Sequence, residues 1–244
     1  MPEKVSSPVR IAVASTNRHK ITEMEAFCTA QGLAVQLLPV PHMEGLEETG
    51  ATFMENARIK AEFWLERLDE ANLTADYILA EDSGFVVPAL DGYYEISPFP
   101  GVQSNRWLTP ERRQALLGVT GTGAATDREK AEAVLSLLQK SPTASRDCYY
   151  IAALTLIDAR NAAHRLEAEG RMAGCVIAPE ENPRGQHGFG YDPIVRPVLA
   201  GVPSAKTVAE YTELEKNRFS HRSRALAQAV TWLMASVSDV AGVN

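Results

Sequence analysis

The sequence predicts an α/β fold, on three observations. An apolar run from Arg10 to Ser15 leads through Thr16 and Asn17, both good helix N-cap residues, into Ile21, Met24 and Phe27 at helical spacing, with Gly32 as the stop; this reads as strand, loop and helix. Thr52 and Glu55 have the spacing of a capping box and open a second helix carrying Phe53, Ala57, Ala61, Trp64 and Leu68. Tyr149 to Asp158 and Leu166 to Ala178 resemble two strands, with Asn161 near the turn between them, and paired they would form a hairpin.

The remaining elements follow in order. Tyr77 to Ala80 and Phe85 to Val87 read as strands broken by a polar turn, Glu81-Asp82-Ser83-Gly84. Tyr93 to Gly123 is rich in Pro, Gly and Thr and reads as an irregular connection or flap, of the kind often tied to function, before a helix from about Thr126 to Gln139. After the glycine-rich run Gly185 to Gly190 come Thr212 to Arg218 and a final helix from Ser220, with Leu226, Val230, Leu233 and Val237 on one face. No internal repeat or flexible linker divides the 244 residues, so a single domain over 1–244 is expected.

Composition narrows the function classes. The content of 45% hydrophobic and 23% charged residues is that of an ordinary soluble globular protein. Met1 to Arg10 lacks an apolar core of signal-peptide length, and Ala225 to Val237 is too short and too interrupted to cross a bilayer. Three cysteines at unrelated spacings offer no CxxC pair, which fits a reducing cytoplasm. A net charge of −7 argues against a general nucleic-acid binder, so an anionic ligand would need a locally basic site.

Several segments could supply such a site. Ser15, Thr16, Asn17 and Lys20 lie where a strand ends and a helix begins, a place that favours an anion, although helix capping alone would explain them. Glu47 and Glu48 precede the second helix, along which Asn56 and Lys60 lie one turn apart; together they could meet a phosphate and its metal, or simply complement the helix dipole and solvent. Glu81 and Asp82 need partners if buried, and magnesium and an attacking water would serve; an exposed acidic turn is the alternative. Gly188-Phe189-Gly190-Tyr191-Asp192-Pro193 sets aromatics among glycines, suited either to stacking on a flat ligand or to a tight turn with buried rings. Lys216, His221 and Arg222 gather donors around the start of the last helix, as a solvated basic face also would.

Together and in order, STNRHK, EETGATFMENARIKA, AEDSGFVVPALDG, GFGYDP and EKNRFSHRSRAL resemble the inosine triphosphate pyrophosphatase family, also called the XTP/dITP diphosphatases. The resemblance runs from about Ile11 to Leu226. It implies a two-lobed α/β fold with a central mixed sheet flanked by helices, an active cleft between the lobes, and a homodimer. It implies Mg²⁺-dependent hydrolysis of ITP, dITP and XTP to the monophosphate and pyrophosphate, with no nucleic-acid or membrane partner. By the same resemblance the triphosphate is held by Ser15 to Lys20 and by Lys60, and the metal by Glu48, Glu81 and Asp82. Asp82 is the proton acceptor, Ser83 binds substrate, and the base is held by Phe189, Gly190, Tyr191, Asp192, Lys216, His221 and Arg222. The chain departs from the family in having Glu81 where aspartate is common, and in replacing the compact PGxYSARY block by Pro100 to Trp107 after extra residues around Tyr93 to Ser97. A pyrophosphatase for other modified nucleotides and a nucleotide-binding module without catalysis are the rival readings.

Overall fold

The structure, a computed structural model, describes residues 8–42, 44–141, 143–178 and 180–241, without the side chains of residues 19 and 237–241. The reading of the N-terminus thus rests in part on residues outside this set, as does that of Val237. The chain runs β1 (Val9–Val13), α1 (Arg18–Ala30), β2 (Val35–Pro39), α2 (Phe53–Leu65), β3 (Tyr77–Val86), α3 (Pro110–Leu117), α4 (Asp127–Gln139), β4 (Asp147–Asp158), β5 (Asn161–Val176), β6 (Val195–Leu199), β7 (Val202–Pro203), α5 (Glu213–Lys216) and α6 (His221–Ala241). The seven strands form one mixed sheet in the order β2-β1-β3-β4-β5-β6-β7. The chain divides into two compact units: one holds the described parts of Met1–Asp82, Ala152–Gly170 and Arg222–Asn244, the other Ser83–Ile151 and Arg171–His221.

In the first unit β1 pairs in parallel with β2, Val9 opposite Val35, and with β3, Ile11 opposite Tyr77. Parallel neighbours need a crossover, which α1 supplies between β1 and β2. Because side chains alternate along a strand, β1 feeds two layers. Ile11 and Val13 pack with Met24, Phe27, Leu154, Leu226, Val230 and Leu233. Ala12 and Ala14 pack with Ala61, Trp64, Ile78, Ala80 and Ile157. A strand buried on both faces reads as a continuous apolar run, which is how Ile11 to Ala14 appear in the sequence.

In the second unit β5 pairs antiparallel with β6, and β6 with β7. Its core gathers Phe85, Phe99, Trp107, Val134, Leu137, Tyr150, Tyr191 and Ile194.

Three expectations change. Glu81 to Gly84 are no turn but part of the ten-residue strand β3. The carboxylates can sit there because cations on neighbouring helices meet them, as described below. The segment Tyr93 to Gly123 is not wholly irregular: it contains two single-turn 3-10 helices, Tyr93–Glu95 and Gly101–Gln103, and α3. Thr109 caps α3 by accepting from the Arg112 N–H, Pro110 takes its first turn, and Gly118 ends it at φ +69°. The threonine, proline and glycine that suggested irregularity are the start and stop signals of a short helix. The second hairpin strand begins at Asn161, five residues before the expected Leu166. Among the described residues no helix is long and apolar enough to cross a membrane.

Candidate active site

In the first unit the middle of β3 carries two carboxylates into a group of cations. Glu81 is buried and takes a fork from Arg222, Nε to Oε2 at 2.8 Å and Nη2 to Oε1 at 3.1 Å. Arg222, also buried, gives its remaining Nη1 to Glu23 of α1. Burial would lower the guanidinium pKa, but Glu81 and Glu23 outweigh it and push the pKa above the ordinary arginine value. The Lys20 ammonium lies 3.5 Å from Glu81 Oε1. Burial lowers its pKa, with Glu81 opposing and Arg222 adding to the decrease.

Asp82 is held from the other side by α2. Its Oδ1 accepts from Lys60 Nζ at 3.1 Å and its Oδ2 from Asn56 Nδ2 at 3.1 Å. The same Lys60 Nζ is 3.1 Å from Glu48 Oε1. Helix lysines are ordinarily solvated, yet Lys60 is 5% exposed and Asn56 wholly buried. Asn56 is oriented by its own acceptor, since its Oδ1 takes the Gly50 N–H at 2.8 Å. A Cβ at Gly50 would stand 2.7 Å from that oxygen, so only glycine admits the approach.

The loop before α1 uses its polar groups locally. Ser15 Oγ accepts from the Asn17 N–H at 3.1 Å, and Asn17 Oδ1 from the Lys20 N–H at 3.4 Å, which caps the helix. Thr16 is exposed, and Ser83, next to Asp82 in β3, is half-buried.

In the second unit the glycine-rich loop and α5 meet. Lys216 Nζ lies 3.3 Å from Asp192 Oδ2 and 5.9 Å from the centroid of the Phe189 ring, which is 37% exposed. Asp192 also accepts the Phe189 N–H at 3.3 Å. Burial raises the Asp192 pKa, and Lys216 pulls against that rise. Gly188 has φ +77°, and a Cβ there would fall 2.0 Å from Asp192 Oδ2, so the loop closes over the carboxylate only because this residue is glycine. The Gly190 N–H donates to Asp127 Oδ2 at 2.8 Å. Gly188, Phe189 and Gly190 border a cavity of about 650 Å³ that Asp127, Gln186 and His187 also line. Tyr191 is a buried pillar: its ring stacks on Phe85 at 4.5 Å, and its hydroxyl accepts from Trp107 Nε1 at 2.9 Å and donates to the Ser104 carbonyl at 2.7 Å. The His221 ring stacks on Tyr150.

Of the residues named from the sequence, Lys20, Glu81 and Arg222 therefore join in one contact network, and Glu48, Lys60 and Asp82 in another. Phe189, Asp192 and Lys216 form a third. Arg222, expected to face a base, is engaged with two carboxylates, and the Tyr191 ring is enclosed by protein. Glu23 and Tyr150 were not among the expected site residues, whereas Asn56 was read with Lys60 as a group that could meet a phosphate and its metal. Glu23 lies three positions after Lys20 on the same helix face, a spacing that could have exposed it. No group of three or more His, Cys, Asp or Glu side chains poised to hold a metal occurs among the described residues.

The model of the Ham1 family matches residues 11–232. The chain belongs to the Ham1 family. Its relatives include the dITP/XTP pyrophosphatase of Halalkalibacterium halodurans, 38% identical over 91% of this chain and 97% of the relative. Among solved structures, a HAM1 protein from Coxiella burnetii is similar with a TM-score of 0.70 and 31% identity, over 93% of this chain and 99% of that one. The nucleoside-triphosphatase, or dITP/XTP pyrophosphatase, of Mycobacterium abscessus is similar with a TM-score of 0.57 and 33% identity, over 91% and 97%. In this Ham1-family chain all five sequence blocks quoted above fall inside the matched range, and they supply every carboxylate and cation of the three networks except Glu23.

Proposed function

We propose that this chain is a nucleoside-triphosphate pyrophosphatase that hydrolyses deaminated purine nucleotides, ITP, dITP and XTP, to the monophosphate and pyrophosphate. The observation that carries the reading is the Asp82 carboxylate held by Lys60 and Asn56, with Glu48 on the same ammonium. A base must be oriented before it can act, and the two α2 donors fix both Asp82 oxygens. The dITP/XTP pyrophosphatase names of the relatives fit the same chemistry.

In this reading water attacks the α-phosphorus, the bond to the bridging oxygen of the β-phosphate breaks, and pyrophosphate leaves. Asp82 orients the water and accepts its proton. Lys20 and the N-terminal end of α1 hold the phosphate chain in line, and Lys60 swings from the carboxylates to its oxygens. Glu48 and Asp82 fit a hard divalent cation, being two oxygen donors that converge on one ammonium, whereas Glu81 is committed to Arg222 and Lys20. Mg²⁺ bound there would neutralise phosphate charge and acidify the attacking water. Phe189 offers a stacking face, with Lys216 and His221 as donors to an oxygen at purine position 6. The proposal includes a homodimer in the cytoplasm, which size-exclusion chromatography and cell fractionation would test.

The deciding experiment incubates the protein with dITP, XTP, modified pyrimidine triphosphates and ATP, each with Mg²⁺ or with chelator, and separates pyrophosphate from orthophosphate. Pyrophosphate from dITP and XTP in Mg²⁺ alone supports the reading. Preference for a modified pyrimidine would move the substrate class, and binding without release of pyrophosphate would leave a binding module.

A further inference from the structure

The loop that carries Phe189 has Gly188 at φ +77° before it and Gly190 at φ +64° after it, and glycine loses more backbone freedom on ordering than any other residue. Such a loop needs tertiary bonds to keep one shape. Packing does not supply them at Gly190, which borders the cavity of about 650 Å³ and where a Cβ would meet no atom of the described residues within 4 Å.

The peptide unit between Phe189 and Gly190 is instead held from two sides. Its carbonyl accepts the Asp192 N–H at 3.3 Å, a bond inside the loop that moves with it. Its N–H, that of Gly190, donates at 2.8 Å to Oδ2 of Asp127, the first residue of α4 and 63 positions away in the chain. That length is within the range of about 2.7–2.9 Å for charge-assisted bonds, and this bond ties the loop to a helix.

Asp127 is itself fixed. Its Oδ1 lies 2.7 Å from Nζ of Lys130, one turn along α4, and that lysine is 6% exposed. Burial would raise the Asp127 pKa, but Lys130 and the Gly190 N–H outweigh it and hold the carboxyl below its ordinary value. Thr126 and Glu129 close a capping box that anchors this first turn. An aspartate that only complemented the helix dipole would need no bond to a distant loop amide.

We propose that Asp127 is a positioning residue for base binding: it struts the Phe189 platform from α4, with one oxygen taken by Lys130 and the other by the loop. This rests on the pyrophosphatase reading above, in which Phe189 is the stacking face. Without the strut the loop divides its time among other shapes, and apparent affinity for a base falls by the fraction lost while the chemistry at Asp82 is untouched.

The test compares the full-length wild type with Asp127→Asn, with the double variant Asp127→Asn plus Lys130→Met, and with Thr126→Ala. It reads melting temperature, kcat and KM with dITP, calorimetric affinity for dIMP, and inhibition by pyrophosphate. Asparagine keeps the shape but has one oxygen, which the Lys130 ammonium claims, so its amide hydrogens face the Gly190 N–H. KM and the dIMP dissociation constant should rise about three- to tenfold, the population shift that one lost hydrogen bond produces, with kcat within about twofold. Pyrophosphate, which carries no base, should inhibit as before. In the double variant the oxygen is released to Gly190, and dIMP affinity should return to within about twofold of wild type. Thr126→Ala loses the cap and keeps the strut, so it should melt lower with unchanged KM. Wild-type dIMP affinity in Asp127→Asn would overturn the proposal, as would pyrophosphate inhibition weakened in the same proportion, or a folded double variant that binds dIMP no better than the single one. A Thr126→Ala protein with KM raised as far as in Asp127→Asn would reduce Asp127 to a helix-stabilising residue. If the wild type itself failed to hydrolyse dITP, the pyrophosphatase reading would fall first and this inference with it, an outcome distinct from an active wild type with an unaltered Asp127→Asn variant.

Discussion

The Arg222 guanidinium grips both oxygens of Glu81, at 2.8 and 3.1 Å, from the first turn of α6 to the middle of β3. This pair lets a strand carry a glutamate at 5% exposure, because a buried carboxylate without a cation would be intolerable. Removing one partner leaves the other charge uncompensated. Arg222→Met should therefore lower the unfolding free energy by about 3–5 kcal/mol, since Glu81 and Glu23 both lose the guanidinium, which leaves Lys20 beside Glu81. Lysine cannot reproduce the fork, so Arg222→Lys should recover only part of the loss. Urea unfolding measures both variants; a methionine variant as stable as wild type would show that the pair does not hold the strand.

Asp82 has a different task. Asn56 and Lys60 each occupy one of its oxygens, so Asp82→Asn keeps the shape while removing the proton acceptor. Turnover of dITP should fall about 10²- to 10⁴-fold, with dITP binding by calorimetry largely retained. Activity within threefold of wild type would take Asp82 out of the reaction.

How much of this was legible depended on whether the signal was local. The Thr52 and Glu55 capping box, the Gly32 stop and the hairpin near Asn161 are short-range chemistry, and each is present as read. The strand through Glu81 to Gly84 was illegible because what permits it is distant: Arg222 lies 141 positions away and Lys60 lies 22 from Asp82. Adjacent carboxylates look like a turn until their cations are in place. Tyr150 was hidden for a related reason, since a tyrosine in an apolar strand reads as core until His221 and Asp192 are brought to it. The five blocks named the candidate site residues, but not that Arg222 faces carboxylates in this state.

Lys20 should shape the alkaline limb of the pH profile. Burial lowers its pKa and Glu81 only partly restores it, so its charge is lost below the usual lysine range. A lysine that holds phosphate must be protonated, so kcat/KM should decline as pH rises through that lowered value. The stability sign is opposite: a depressed base favours the folded state once it is neutral, so its contribution is present at high pH and lost as pH falls through the folded value. Arginine stays charged throughout, and Lys20→Arg should move the alkaline limb to higher pH. An unmoved limb would assign that titration to another group.

Discrimination among bases should follow from donors meeting donors. Lys216, beside Asp192 and the Phe189 ring, and His221, stacked on Tyr150, are both placed in the second unit with hydrogens to give. Hypoxanthine and xanthine present an acceptor oxygen at position 6, whereas adenine presents an amino group, so an adenine there would leave donors facing a donor. A desolvated group left unpaired costs about 1–3 kcal/mol, which makes dATP at least roughly tenfold poorer than dITP in kcat/KM. Arg222 is engaged with Glu81 and Glu23, so the first variant to test is Lys216→Met rather than a change at Arg222. It should reduce kcat/KM for dITP about tenfold while changing dATP much less, because only the former loses a bond. The Asp192 carboxylate, whose pKa burial already raises, would meet the loss of its cation by taking up a proton. Steady-state kinetics on the two nucleotides across wild type and variant decide it: equal losses for dITP and dATP would mean that Lys216 holds the loop and does not read the base.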